Sequence, residues 1–405
     1  MSEKKKILSI NLGNLSSTGG IMHGITLLAR ESGFDAVEAY PDRFDNYPVR
    51  DGDIVIIPDF WRRVCEKLAF ITGFNGCFAY FYTRAFLRKV SRFKPDVIHL
   101  HNLHNSYINL PLLFKYIKRN KIKTVWTLHE CWAFTGQCPY FTLAKCDKWK
   151  TGCHDCPSYN DYPRSSYDNS KTMYRLKKKW FTGIEEMRII TNSDWLAGLA
   201  RQSFLKDYPI RTIHNGIDVS VFRPTESDFR KKHGLEDKFI VLGVSFSWGR
   251  RKGLDVIPEL AKGLDDRFQI ILVGTDDEVD SQLPDNVMTI HRTGNRQEMV
   301  EIYSAADVFV NPTREEAYPT VNLEAIACGT PVITFDSDGA PEMITPENGI
   351  VVHCDDVPAM TEAVKRACLE HLFDSSVCAE QGRQFSGQLA FAQYIETYRD
   401  ILGIK

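Results

Sequence analysis

Two glutamates stand eight positions apart in the stretch NPTREEAYPTVNLEAIACGTP, residues 311–331: Glu316 on a proline-bounded segment, Glu324 among small helix-favouring residues. A carboxylate accepts hydrogen bonds through both oxygens, so an acid on a helix suits a ribose diol and an acid on the preceding loop suits a sugar hydroxyl. Backbone N–H groups around Pro319, Thr320 and Val321, where the helix would start, would face a phosphate. Capping and helix-dipole stabilisation explain acids at such a place equally well. The pair therefore needs supporting chemistry elsewhere in the chain.

Three further groups of residues offer it. In SFSWGRRKGLDVI, Arg250, Arg251 and Lys252 fall between a strand pattern and a helix pattern, beside Gly253. Cations fixed there neutralise a departing diphosphate, although a solvated basic loop has the same composition. In NLGNLSSTGGIMHG, Gly19 and Gly20 precede a helical pattern and let the backbone approach an anion; a plain tight turn is the alternative. Neither the dinucleotide fingerprint nor the lysine-type phosphate loop has its spacing here, which disfavours hydride transfer and ATP hydrolysis. His99 and His101 in DVIHLHN and His129 in TLHE end strand patterns, with His99 and His101 on one face. They lack a third metal ligand, so hydrogen bonding to substrate is preferred, with a satisfied structural role open for each.

Short apolar runs position these residues. Residues 7–12, DIVIIP, DVIHLH and KTVWTLH in the first half alternate with helical stretches, and FIVLGVSFS, FQIILVG, NVMTIHR, DVFVNPT, TPVITFD and GIVVHC do so in the second. The expected fold class is α/β: two Rossmann-like domains facing across a cleft, over 1–210 and 217–385, joined near HNGID. An amphipathic helix over 386–405 is expected to pack toward the first domain. A length of 405 residues suits two domains, and 43% hydrophobic with 25% charged residues suits a folded, soluble chain. There is no eighteen-residue apolar run and no signal-peptide pattern at MSEKKKILSINLG, which places the expected protein in the cytoplasm. The net charge of -2 argues against general nucleic-acid binding, yet residues 1–210 carry 31 Lys and Arg against 20 Asp and Glu, and the rest 19 against 32.

Together these motifs resemble the large retaining glycosyltransferase family, the fourth in the usual classification, whose members pair two Rossmann-like domains in the GT-B fold and use nucleotide-sugar donors. The resemblance rests on EAYPTVNLEAIACGTPVI from Glu316 to Ile333, on HNGIDVSVFRP from His214 to Pro224, and on TGG at 18–20. It implies that Glu316 contacts the donor sugar and Glu324 the ribose, and that Lys252 with Arg251 or Arg250 steadies the diphosphate. The family's Gly-Arg position reads Gly243-Val244 here, and Arg251 is the favoured replacement. His101 or His129 would bind the hexose near its anomeric carbon. No catalytic metal is implied, and UDP is favoured over GDP. A sugar-nucleotide epimerase, a glycogen-synthase-like enzyme or an inactive sugar-binding scaffold are the other readings.

The segment 131–163 is cysteine-rich. Cys138, Cys146, Cys153 and Cys156, ending in Cys-x-x-Cys, are expected to hold a structural zinc, with Cys131 or His154 as substitutes; reduced thiols and disulfides are the alternatives. Similar segments occur in the part of the family that builds exopolysaccharide or O-antigen, which implies a glycan or polyprenyl-diphosphate-linked acceptor. In FWRRVCEKLAF and FAYFYTRAFLRKVSRF aromatic residues and cations interleave, as on a face that lies on an anionic membrane or on a core helix with a cationic solvent side.

Overall fold

The structure, a computed structural model, describes residues 4–44 and 46–404. The chain divides into two compact units, Met1–His214 with Phe391–Lys405, and Asn215–Ala390. The first holds seven strands: β1 (Lys6–Ile10), β2 (Asp35–Tyr40), β3 (Ile54–Val55), β4 (Val97–Leu100), β5 (Lys123–Leu128), β6 (Met187–Thr191) and β7 (Ile210–Thr212). They form one parallel sheet in the order β3-β2-β1-β4-β5-β6-β7. Helices cover both faces, so central strands have no solvent side and read as continuous apolar runs; Leu8, Ile98 and Val125 are fully buried. Each such side chain contributes about 1.5–3 kcal/mol of burial.

The second unit holds β8 (Phe239–Val244), β9 (Phe268–Val273), β10 (Val287–Ile290), β11 (Val308–Asn311), β12 (Val332–Phe335) and β13 (Gly349–Val352). They too form a parallel sheet, in the order β10-β9-β8-β11-β12-β13. The expected α/β class with two doubly wound sheets is what the chain adopts. Three strands of the first unit, β2, β6 and β7, were absent from the sequence expectation. In β2, DAVEAY, the apolar run is broken by Glu38, whose carboxylate is buried against His23 Nδ1 at 2.8 Å.

In both sheets the winding direction reverses between two neighbouring strands, β1 and β4 in the first and β8 and β11 in the second. Ligands of open parallel sheets bind beyond the carboxyl ends of the strands at such a reversal. The candidate residues must be judged there. The final helix (Gly387–Leu402) belongs to the first unit from Phe391 onward, where it buries Tyr394 and Tyr398 and accepts a bond from Lys123 Nζ at its Ile401 carbonyl, 2.7 Å.

Candidate active site

At the reversal of the second sheet, a short turn (Arg250–Lys252) follows β8 and an irregular loop, residues 312–319, follows β11. The Lys252 ammonium meets the Glu316 carboxylate, and Arg251 Nη1 lies 3.8 Å from the same Glu316 oxygen. Arg251 Nη1 also donates to the Glu315 carbonyl at 2.9 Å. Burial pushes the Glu316 carboxyl up, but Lys252 and Arg251 outweigh it and hold the group below its ordinary value. The cluster thus keeps one fixed carboxylate beside two cations, with Arg251 the arginine nearer Glu316. Arg250 departs from this group: it lines a hollow with Trp248, Asp255 and Asp276.

Polar contacts to neighbouring segments fix the loop. Asp338 accepts from the Glu316 N–H at 3.1 Å, and the Gly339 N–H donates to the Glu316 carbonyl at 3.1 Å. Asn311 Nδ2 donates to Asn322 Oδ1 at 2.7 Å, tying the end of β11 to the next helix (Thr320–Ala327). That helix begins after Pro319 with no side chain capping it, which leaves N–H groups of Thr320 and Val321 outside its own ladder. Glu324 lies one turn in and half-buried, where Tyr303 donates its hydroxyl at 3.0 Å. Burial raises the Glu324 carboxyl to about 7, against the pull of Tyr303 and Arg296. Tyr303, fully buried on its own helix, is a partner that no local sequence pattern announced.

The first unit presents a different chemistry beside its reversal. His101, just past β4, and His129, just past β5, are buried with rings stacked at 5.4 Å, and His101 Nδ1 is 3.1 Å from His129 Nε2. Burial lowers both, His129 to about 3, so both rings are neutral near pH 7. One shared proton then joins them. The two outer nitrogens, His101 Nε2 and His129 Nδ1, lack any partner among the described residues. Whichever ring donates inward, one outer nitrogen is left a donor and the other an acceptor, which matches the dual character of a hydroxyl group.

His99 does not join them as a binding residue. Its Nδ1 meets Tyr398 Oη at 2.6 Å and its Nε2 meets Thr127 Oγ1 at 2.8 Å, so it is a satisfied core histidine. Gly19 and Gly20 also differ from expectation. The helix begins at Ser16, placing both glycines inside its first turns, where Gly19 packs against the backbone of Asn14 while the space beside Gly20 is open. A Cβ at Gly19 would meet the Asn14 backbone at 2.9 Å, so close packing alone already calls for glycine at that position.

The cysteine segment is looser than a tetrahedral site requires. Zinc at ~2.3 Å from four sulfurs sets them roughly 3.8 Å apart. Among the described residues no three of Cys138, Cys146, Cys153 and Cys156 have sulfurs within 4.8 Å of one another. Cys138 donates to Cys156, which holds the Cys156 thiol below its ordinary value, and Cys153 accepts from the Gly136 N–H at 3.2 Å. Cys138 is flanked by Cys156, Cys153 and Cys131, and Cys153 by Cys156 and Cys146, so the four thiols share one neighbourhood. The same segment surrounds residues that the sequence did not single out. Lys177 is fully buried, its Nζ 3.6 Å over the Trp132 ring and donating to the Trp132 carbonyl, and burial lowers it to about 7. Glu130 accepts from the Trp132 N–H at 3.1 Å and is raised by burial to about 8.

Comparison with known proteins is consistent with this geometry. Residues 39–221 match the family model described as Glycosyltransferase Family 4, and residues 236–370 match the one described as Glycosyl transferases group 1. A colanic acid biosynthesis glycosyl transferase of Escherichia coli strain K12 is 25% identical over 323 residues, 76% of this chain and 77% of that protein. An N,N'-diacetylbacillosaminyl-diphospho-undecaprenol alpha-1,3-N-acetylgalactosaminyltransferase of Campylobacter jejuni is 30% identical over 188 residues, 43% of this chain and 47% of that one. Among solved structures, the Anabaena protein HepE in complex with UDP-glucose superposes with a TM-score of 0.66 at 14% identity, covering 98% of this chain and 99% of that one.

Proposed function

The chain is a glycosyltransferase of the GT-B fold, homologous to family four, and from that premise we propose that it transfers a hexose, with retention of configuration, from a UDP-sugar to a lipid-linked glycan in surface polysaccharide assembly. The observation that carries this reading is the Lys252–Glu316 contact at the reversal of the second sheet, followed by Glu324 on the next helix. In the proposed reaction the Lys252 ammonium and the Arg251 guanidinium take up the negative charge that grows on the diphosphate as the glycosidic bond breaks. Thr320 and Val321 offer backbone N–H groups to a phosphate, and Glu324 accepts from the ribose hydroxyls. Glu316 holds the donor sugar, and the outer nitrogens of His101 and His129 take sugar hydroxyls. The leaving phosphate accepts the acceptor's proton, so no protein base is needed.

The relatives support UDP and a lipid-linked acceptor: one solved neighbour is titled as a complex with UDP-glucose, and one relative is named for a diphospho-undecaprenol acceptor. Among the described residues no helix is long and apolar enough to cross a membrane. The proposed route to a lipid-linked acceptor is a peripheral one. Helices Asp59–Thr72 and Tyr80–Phe93 leave Phe60, Trp61, Tyr80 and Phe81 exposed beside the exposed cations Arg63, Lys67, Arg84 and Arg88, a pairing suited to an anionic bilayer surface. Incubation with UDP-sugars and NMR of the released sugar tests the chemistry. Retention of the anomeric configuration is expected, and inversion or epimerisation without transfer would overturn it. Co-sedimentation with vesicles is expected to rise with anionic lipid content; indifference to that content would remove the membrane face.

A further inference from the structure

The basic turn and the acidic loop leave different strands, β8 and β11, so the contact between Lys252 and Glu316 depends on something that fixes one against the other. Beside the single bonds from Arg251 Nη1 to the Glu315 carbonyl and from Thr313 Oγ1 to the Arg251 carbonyl, Arg314 makes the most extensive connection. Its backbone N–H donates to the Arg251 carbonyl at 2.9 Å, and its Nη1 donates to the Arg250 carbonyl at 2.5 Å. Nη1 and Nη2 also grip Asp255 at 2.7 and 3.0 Å, and Nε reaches Asp355 at 2.6 Å. Four of the five guanidinium N–H donors are thereby engaged within the protein. The side chain is 8% exposed and its charge is balanced by two aspartates. A second restraint acts at the same joint: Gly253 has φ +74°, and a Cβ there would collide with the Pro312 carbonyl oxygen.

We propose that Arg314 is a positioning residue for the transfer reaction: it ties the Arg250–Lys252 turn to the loop carrying Glu316 and is not itself a ligand of the diphosphate. This rests on the reading of Lys252 as the cation that meets the leaving group. The geometry demands arginine. A lysine at 314 has one point charge on a flexible stem and cannot hold a carbonyl and two carboxylates in a fixed fork. A slackened turn lets the Lys252 ammonium drift, and displacement of a charge by about 1 Å at a reacting centre costs up to ~10²-fold in rate.

The test uses the full chain with UDP-glucose as donor probe and compares wild type, Arg314→Lys, Lys252→Met and the double variant. Arg314→Lys is expected to lower kcat roughly 30-fold while donor KM moves less than about 3-fold. In the Lys252→Met background the same change is expected to alter kcat less than about 2-fold, because no ammonium remains to be misplaced. Equal losses in both backgrounds, or wild-type kcat in Arg314→Lys, would overturn the proposal. Amide hydrogen exchange of Lys252 and Gly253 reads the tether without any turnover. Exchange about 10-fold faster in Arg314→Lys supports it and unchanged exchange overturns it, even if wild type does not use UDP-glucose, an outcome that would count against the functional reading alone.

Discussion

The two sheets share one winding pattern, yet what stands at their reversals is electrostatically opposite. Beyond β8 and β11 sits a charged cluster, in which Lys252 and Arg251 depress the Glu316 carboxyl despite its burial. Beside the reversal of β1 and β4 sits a neutral pair, His101 and His129, whose burial keeps both imidazoles uncharged. Topology supplies the place and the side chains supply the chemistry. A cluster of fixed charges suits a diphosphate on which charge develops; a neutral donor–acceptor pair suits hydroxyl groups that are held without being ionised.

The largest effect that tests this contrast is expected from Lys252→Met. Loss of one preorganised cation should reduce kcat by ~10²–10³-fold with a smaller change in donor KM, read by steady-state kinetics. The substitution also leaves Glu316 buried without its ammonium. In the wild type the depressed Glu316 lends stability that is present above the unfolded carboxyl value and lost as pH falls through the folded one. Thermal melts from pH 3 to 7 should show a smaller gain with rising pH in the variant. A kcat within a factor of a few of wild type would break the assignment of charge stabilisation to the second unit.

The histidine pair sharpens the contrast from the other side. Removing one ring by His129→Ala takes away one hydroxyl partner and unpairs its neighbour, for an expected loss of roughly 10–100-fold in kcat/KM for the donor. The wild-type rate should show no limb from these imidazoles between pH 5.5 and 8, because burial holds His129 at about 3 and His101 well below its ordinary value. A pH–rate limb that disappears in His129→Ala would show an ionising imidazole and end the distinction between a charged and a neutral pole.

These residues were unequally visible in the sequence. All six strands of the second sheet are bounded apolar runs, and the turn and loop that follow β8 and β11 carry their charges in contiguous stretches, so Lys252, Arg251, Glu316 and Glu324 stood out as candidates, with their roles supplied by the family resemblance. The half-chain charge balance did not mark this place: residues 1–210 are the net basic half, yet Arg250, Arg251 and Lys252 lie in the acidic half, because a local cluster is set by a few fixed neighbours and not by a sum over surface groups. Tyr303 and Arg314 were missed because their partners are brought together by tertiary packing, 21 residues away for Tyr303 and up to 64 for Arg314. His99 and His101 looked alike in DVIHLHN and parted only when Tyr398, 299 residues distant, satisfied one of them. The cysteine spacing read as four candidate ligands but could not show which thiols touch; Cys138 donates to Cys156, and Cys153 accepts from the Gly136 N–H.

Glu324 joins the two halves of the comparison, since it is an acid in the charged unit that behaves almost as a neutral group. With its carboxyl raised to about 7, a substantial fraction is protonated at neutral pH in the free protein. The ionised form accepts from both hydroxyls of a ribose, whereas the protonated form keeps less accepting capacity. UDP affinity should therefore strengthen as pH rises through about 7 and level off above it, by at most ~10-fold per pH unit below the midpoint. Glu324→Gln should weaken UDP by roughly 10-fold at pH 8 and flatten that dependence, while Tyr303→Phe, which removes the hydroxyl that favours the ionised form, should move the midpoint upward. Calorimetric titration of UDP from pH 6 to 8 across the three proteins reads all of this, and a midpoint that stays put in Tyr303→Phe would assign the pH response to some other group.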